Sequence, residues 1–231
     1  MPPLSNDPQL KALDKAARNF AQECSDLLNL TVANGVKFSA IRTNNSALIG
    51  VGLSKTCADS SPIPLRIGKG KPAVHLYVQH SYGYDYERVY LTMLKSTMAL
   101  YTSAEMESDQ LIVTYDYARE TNTPNPEAHL HVYGERSDLD EIYLGTGRDS
   151  RQLRDLHLPV GGRRFRPTLE DIVEFAILEE MVQPRDDWTT VVEQGRQRWT
   201  SIQLKALVRR DQVTAAEQLR KEGWTCEAPD H

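Results

Sequence analysis

Histidine is the commonest metal ligand among side chains and also a general acid or base near neutral pH. In "PEAHLHVYGE", residues 126 to 135, His129 and His131 stand two apart in a short apolar run, with Glu127 before them and Glu135 after. Alternate residues of a strand share a face, so the two imidazoles project side by side while Leu130 and Val132 turn to the core. The preceding strand-like run, "TYDYARE", carries Asp116 and Arg119, and a hairpin joining 110–120 to 127–134 brings them alongside. A third histidine, His157, arrives in "DLHLPVGG".

Two chemistries suit this set. A divalent metal would take His129, His131 and either Asp116 or His157 as ligands and keep one position for water. Metal-free phosphodiester cleavage would use the histidines as base and acid, with arginines stabilising the charged phosphorus centre. Arg148, Arg151, Arg154, Arg163, Arg164 and Arg166 crowd the segment after the histidine run. With Arg119 they are the candidate phosphate binders, Arg148, Arg163 and Arg164 foremost. The competing expectation is that HxH merely decorates the wet face of a strand and that the arginines pair with acidic helix residues.

The elements that must carry these residues follow from periodicity. Over 8 to 28, Leu10, Leu13, Ala17, Phe20, Cys24 and Leu27 recur at steps of three and four, the apolar stripe of a helix. Asp7 before Pro8 gives it a cap and a first-turn proline. The spacing is heptad-like, so the stripe also suits a homo-oligomer seam, with packing on its own domain the favoured use. From 73 to 133, β-branched and aromatic alternation punctuated by turn residues predicts an antiparallel meander of four or more strands. "RVYLTMLKSTMALY" fits a strand or a helix. His75 and His80, five apart on one run, face opposite sides. Tyr82, Tyr84 and Tyr86 share a face, for cross-strand packing or, less expectedly, for stacking bases. "GKGK" at 68–71 lacks the spacing of a phosphate loop.

After the arginine-rich connection, "PTLEDIVEFAILEEMV" reads as an amphipathic helix capped by Thr168, with Glu170 and Asp171 in its first turn and an end at Pro184. Further helices are expected over 187–208 and from Asp211 to a stop at Gly223. They mix apolar anchors, Trp188, Trp199 and Trp224 among them, with Arg196, Arg198, Lys205, Arg209 and Arg210. The last helix has few side chains suited to base edges, which disfavours a DNA-reading helix-turn-helix. The plan is α+β: an N-terminal helix, the meander sheet, then about three helices. An α+β domain is expected over 1–183, with a helical extension over 184–231 packed on it.

Bulk properties narrow the classes. The 231 residues, 40% of them hydrophobic, can bury one sizeable core. No run approaches the ~18 apolar residues of a membrane span, so no membrane partner is expected. The first twenty residues lack the basic cap and apolar block of a secretory leader, which points to the cytoplasm. Cys24, Cys57 and Cys226 are odd in number and far apart, which suits reduced thiols. A net charge of −5 disfavours nucleic-acid binding by the whole surface but permits a local basic patch.

From about 110 to 178 the order of elements resembles TumE-type toxins of bacterial toxin-antitoxin pairs. These have a strand with a Tyr-Asp pair, an HxH strand, a glycine turn, then an aromatic-x-Ser/Thr-x-Glu start to a closing helix. Here the corresponding stretches are "TYDYARE", "AHLHVYGE", "VGG" and "FRPTLEDIVEF". By that likeness Asp116, His129 and His131 occupy the motif positions, while Phe165, Thr168 and Glu170 or Asp171 are structural. His157, before "PVGG", competes with His131 for its place. The likeness covers under a third of the chain, and about 25 residues separate the HxH run from the glycine turn. It implies a growth-inhibiting toxin acting on RNA or nucleotides, a ribonuclease-like hydrolase with a protein antitoxin as partner. The alternative is a non-catalytic binding or regulatory protein acting through its sheet and C-terminal helices.

Overall fold

The computed structural model describes residues 7–67, 72–85, 90–119, 125–134, 153–161 and 166–227. The "GKGK" loop, Tyr86, Glu135, Phe165 and the arginines Arg148, Arg151, Arg163 and Arg164 lie outside the described residues, as does the side chain of Arg154. The chain divides into two compact units, 1–192 and 193–231.

Unit 1 opens with helix α1 (Pro8–Thr31), where Asp7 accepts a 2.8 Å hydrogen bond from the Gln9 amide and Pro8 occupies the first turn. Eight strands follow in one sheet: β1 (Phe38–Arg42), β2 (Ser46–Val51), β3 (Ile63–Arg66), β4 (Pro72–Tyr84), β5 (Leu91–Tyr101), β6 (Leu111–Ala118), β7 (Ala128–Val132) and β8 (Leu158–Pro159). The spatial order is β1-β2-β4-β5-β6-β7-β8, with β3 also paired to β4, and every pairing is antiparallel. The thirteen-residue β4 is long enough to hold β3 along 72–76 and β2 along 79–83 on one side while β5 runs along the other. Residues 91–101, compatible with either state in sequence, are strand β5: β4 and β6 flank them and bury Met98 and Leu100.

Among the described residues three helices follow, α2 (Leu169–Leu178), α3 (Trp188–Arg210) and α4 (Gln212–Lys221). Thr168 and Asp171 form a reciprocal capping box at the start of α2. The sheet and helices are the α+β plan expected from sequence. Among the described residues, no helix is long and apolar enough to cross a membrane.

Pairing register separates the two sheet faces. Val74, Leu76 and Val78 of β4, Met98 and Leu100 of β5 and Val113 of β6 face one side. There they share a single core with Leu13, Ala17, Cys24 and Leu28 of α1 and with Ile172, Val173 and Ala176 of α2. The stripe of α1 is therefore consumed by its own unit. At roughly 25 cal/mol per Å² of apolar surface, each fully buried leucine contributes about 1.5–3 kcal/mol, which makes this face the source of most stability. The cysteines are free thiols, and burial pushes that of Cys24 upward in pKa.

His80 lies on the same inner face. Its Nδ1 is 3.0 Å from Ser96 Oγ, its Nε2 has no hydrogen-bond partner, and its ring is tilted against Phe20 at 5.4 Å. Burial, helped by the charge of Arg166, lowers its pKa to about 3. Tyr82 stacks on Phe20 and Tyr84 donates to the Gln9 carbonyl, so these two tyrosines knit α1 to the sheet.

Unit 2 consists of the rest of α3 and α4. Asp211 caps α4 through the Thr214 amide, and Gly223, at φ +88°, takes the left-handed turn after its end. Ile202, Leu204, Val213, Leu219 and Trp224 are exposed in this unit.

Candidate functional site: a three-histidine cluster on the outer sheet face

The face turned away from the core holds the chemistry. Through the strand registers, Tyr77, Ala99, Thr114 and His131 lie in one row across β4 to β7, and Gln79, Thr97, Asp116 and His129 in the next. Asp116 sits directly opposite His129 in the hairpin of β6 and β7. Strand β8 extends the sheet beyond β7, pairing Leu130 with Leu158 and His129 with Pro159. Proline is tolerated here because β8 borders the described sheet and needs no ladder donor on its outer side. One residue earlier, after the short 3-10 turn Leu153–Asp155, His157 arrives next to His131.

The three rings converge. Centroids are 5.0 Å apart for His129 and His131, 4.8 Å for His129 and His157, and 4.7 Å for His131 and His157, with interplanar angles of 86°, 56° and 69°. One nitrogen from each lies within 4.8 Å of the others, and all three residues are half-buried. The candidate metal set thus draws its third histidine from the residue just before β8, and Asp116 is not a member of that convergent group.

One turn orients two of the rings. His129 Nδ1 is 2.8 Å from the Pro126 carbonyl oxygen, which only accepts, so Nδ1 carries a proton and the neutral ring has its lone pair on Nε2. The Asn125 side-chain amide is 2.9 Å from His157 Nε2. Proline at 126 restricts Asn125 to extended backbone, so the dipeptide presents both groups from a stiff segment.

Asp116 is fixed from its other side. Thr97 Oγ1 donates to its Oδ1 at 2.7 Å. The carboxylate also marks two phenols of this face: burial first, then the charge of Asp59, the phenol of Tyr101 and the charge of Asp116 raise the pKa of Tyr77, and burial followed by Asp116 raises that of Tyr101. Both phenols remain donors at neutral pH. Tyr77 donates to Gln79 Oε1 at 3.2 Å, and the same oxygen accepts the Ser60 amide at 2.9 Å. Ser60 reaches this place because residue 50 is glycine; a Cβ there would meet Ser60 Oγ at 2.7 Å.

The arginines divide differently. Arg119 donates from Nη1 to Thr92 at 2.8 Å, towards β5, whereas the histidines stand on the β7 side of β6. The guanidinium of Arg166 lies 4.1 Å from the ring centre of Tyr117, an inner-face residue, as a cation–π pair. Neither is assembled with the histidines. His75 shares the outer face with Tyr77, opposite to His80, and its buried Nδ1 has no hydrogen-bond partner.

Sequence reasoning missed Asn125, Tyr77 and Tyr101 as neighbours of the site. The signal for Asn125 is present: in "TNTPNP" an amide side chain is held between two prolines just before the histidine strand. Tyr77 and Gln79 follow from the same alternation that buries Leu76 and Val78. No family model, curated protein or solved structure matches the chain.

Proposed function

We propose that the protein is a toxin-like, cytoplasmic hydrolase of the ribonuclease kind, cleaving phosphodiesters of RNA or nucleotides at the cluster of His129, His131 and His157. The supporting observation is their convergence to within 4.8 Å with His129 Nε2 left as an acceptor. Phosphodiester cleavage requires a group that activates the attacking hydroxyl and another that neutralises the leaving oxygen, typically contributing about 10²–10⁴-fold. Three imidazoles on one face supply candidates for both tasks. Asp116, held by Thr97, steadies positive charge that develops on the adjacent His129. Flanking chain segments carry Arg148, Arg151, Arg163 and Arg164, whose chemistry suits a phosphate.

The test is expression of the wild type beside a His129→Ala/His131→Ala variant, following growth and RNA integrity. The proposal expects arrested growth and fragmented RNA with the wild type only. Equal growth with intact RNA in both removes it, and equal toxicity in both moves the activity elsewhere.

A second reading has its own observation. Exposed Ile202, Leu204, Val213, Leu219 and Trp224 in residues 193–231 suit a protein contact, whether a regulatory partner or an antitoxin. Replacing Trp224 and Leu219 with serine would abolish such a contact while leaving RNA cleavage unchanged.

A further inference from the structure

The geometry points to a bound divalent zinc-class ion: we propose that His129, His131 and His157 are its three protein ligands, with Asn125 and Pro126 as positioning residues. The catalytic consequence, in which a water on the ion would take over the base's task from the imidazoles, rests on the proposed hydrolase activity; the binding itself does not.

The first argument is angular. Three nitrogens in tetrahedral directions around one ion cannot have all three ring planes coincide, and here the rings are inclined by 56°, 69° and 86°. Edge-to-face packing of aromatic rings gives similar angles, so inclination alone does not decide the matter.

The partner of the second ring nitrogen adds a sharper argument. A ring bound to a metal through one nitrogen donates from the other to a carbonyl, carboxylate or amide oxygen, which fixes its tautomer and direction. His129 does this, donating from Nδ1 to the Pro126 carbonyl and aiming the Nε2 lone pair elsewhere. His157 has its Nε2 at hydrogen-bond distance from Asn125. A half-turn of that amide puts Oδ1 in place of Nδ2, so that Nε2–H donates and Nδ1 becomes the ligand. As placed, Asn125 Nδ2 donates to His157 Nε2, so the ring of His129 is the one pre-set by this turn, and that of His157 becomes so once the amide turns.

Distances agree with a small closure. Zn–N bonds of about 2.0–2.1 Å in a tetrahedron separate ligand nitrogens by about 3.3 Å. The nitrogens here lie within 4.8 Å of one another, and side-chain rotations of the half-buried rings close the remainder. Three imidazoles are the donor set of a site that retains an open position, the arrangement that binds and acidifies water. Thiols are not required, and hard oxygen-seeking cations such as Mg²⁺ are disfavoured by an all-nitrogen set. Asp116 lies across the ladder from His129, oriented by Thr97, and would serve as the proton acceptor for a water on such an ion.

The experiment is Co²⁺ titration of the full, untagged, chelator-treated protein, followed by Zn²⁺ displacement. The wild type is expected to develop the visible bands of low-coordinate cobalt, saturating at one equivalent, without a thiolate-to-cobalt band, and to lose them to Zn²⁺. His157→Ala should lose high-affinity binding. Asn125→Ala should weaken it about 10–100-fold, as outer-shell changes typically do. Circular dichroism establishes that each variant is folded. Cobalt left as the hexaaqua ion by folded wild type, or bound equally by His157→Ala, overturns the site. Wild type that binds no ion yet cleaves RNA overturns the metal and leaves the hydrolase standing. One-equivalent binding with intact RNA upholds the metal and removes the hydrolase.

Discussion

The two faces of one sheet use histidine in opposite ways. On the inner face His80 stands among Phe20, Tyr82 and Val78, with Ser96 as its hydrogen-bond partner, and burial holds it neutral. On the outer face His129, His131 and His157 are half-buried, close together, and oriented in part by a turn that packs no core. Residue type is the same, and strand periodicity alone assigns the side. Company makes the difference: a lone buried imidazole is a structural element with a stability cost at low pH, whereas three converging ones form a place where an ion or proton can be handled.

The comparison breaks first if the outer face is dispensable. His129→Ala/His131→Ala should reduce RNA cleavage by about 10²-fold or more while the thermal midpoint stays near that of the wild type, because neither ring contributes to the core. A large fall in midpoint with unchanged cleavage would make the cluster a packing device. Next in size, Leu76→Ala on the inner face should cost about 2–5 kcal/mol in denaturant unfolding, since Leu76 is fully buried between the helices and the sheet. One-equivalent cobalt binding by its folded fraction should persist.

His80 gives a smaller, pH-dependent effect. Its folded pKa, about 3, is below the 6.5 of an exposed imidazole, so between these values the unfolded chain binds a proton that the folded chain refuses. Stability must therefore fall as pH drops through that window, by up to about 1.4 kcal/mol per pH unit, with no contribution above it. Replacing His80 with leucine should flatten the slope by that amount. Parallel pH dependences for variant and wild type would show that His80 charges in the folded state. Smallest, Thr168→Ala should cost about 1 kcal/mol by opening the capping box of α2, with no change at the histidines.

Periodicity made the inner face legible. The stripe of α1, the apolar run of α2, the caps at Asp7 and Thr168 and the strand character of β4, β6 and β7 all follow from local rules, whereas 91–101 needed its neighbours to become a strand. The hairpin that places Asp116 opposite His129 was legible too, because both runs alternate and the turn-favouring "TNTPNP" separates them in sequence. What stayed illegible depends on long-range pairing. Nothing local says that the dipeptide Leu158–Pro159 joins β7, yet that pairing brings His157 to His131 and fixes which residue completes the cluster. Nor does local sequence say that Arg119 turns to Thr92, or that Arg166 lies over Tyr117.

The two-face account is tested most directly by nuclear magnetic resonance of the imidazole nitrogens during a Zn²⁺ titration. The chain has six histidines, which resolves the faces residue by residue. The account predicts that the ring resonances of His129, His131 and His157 move together and saturate at one equivalent, with His129 coordinating through Nε2, while His80 does not move. Three unmoved rings at that ratio, or a shift centred on His75, His80 or His231, would contradict it.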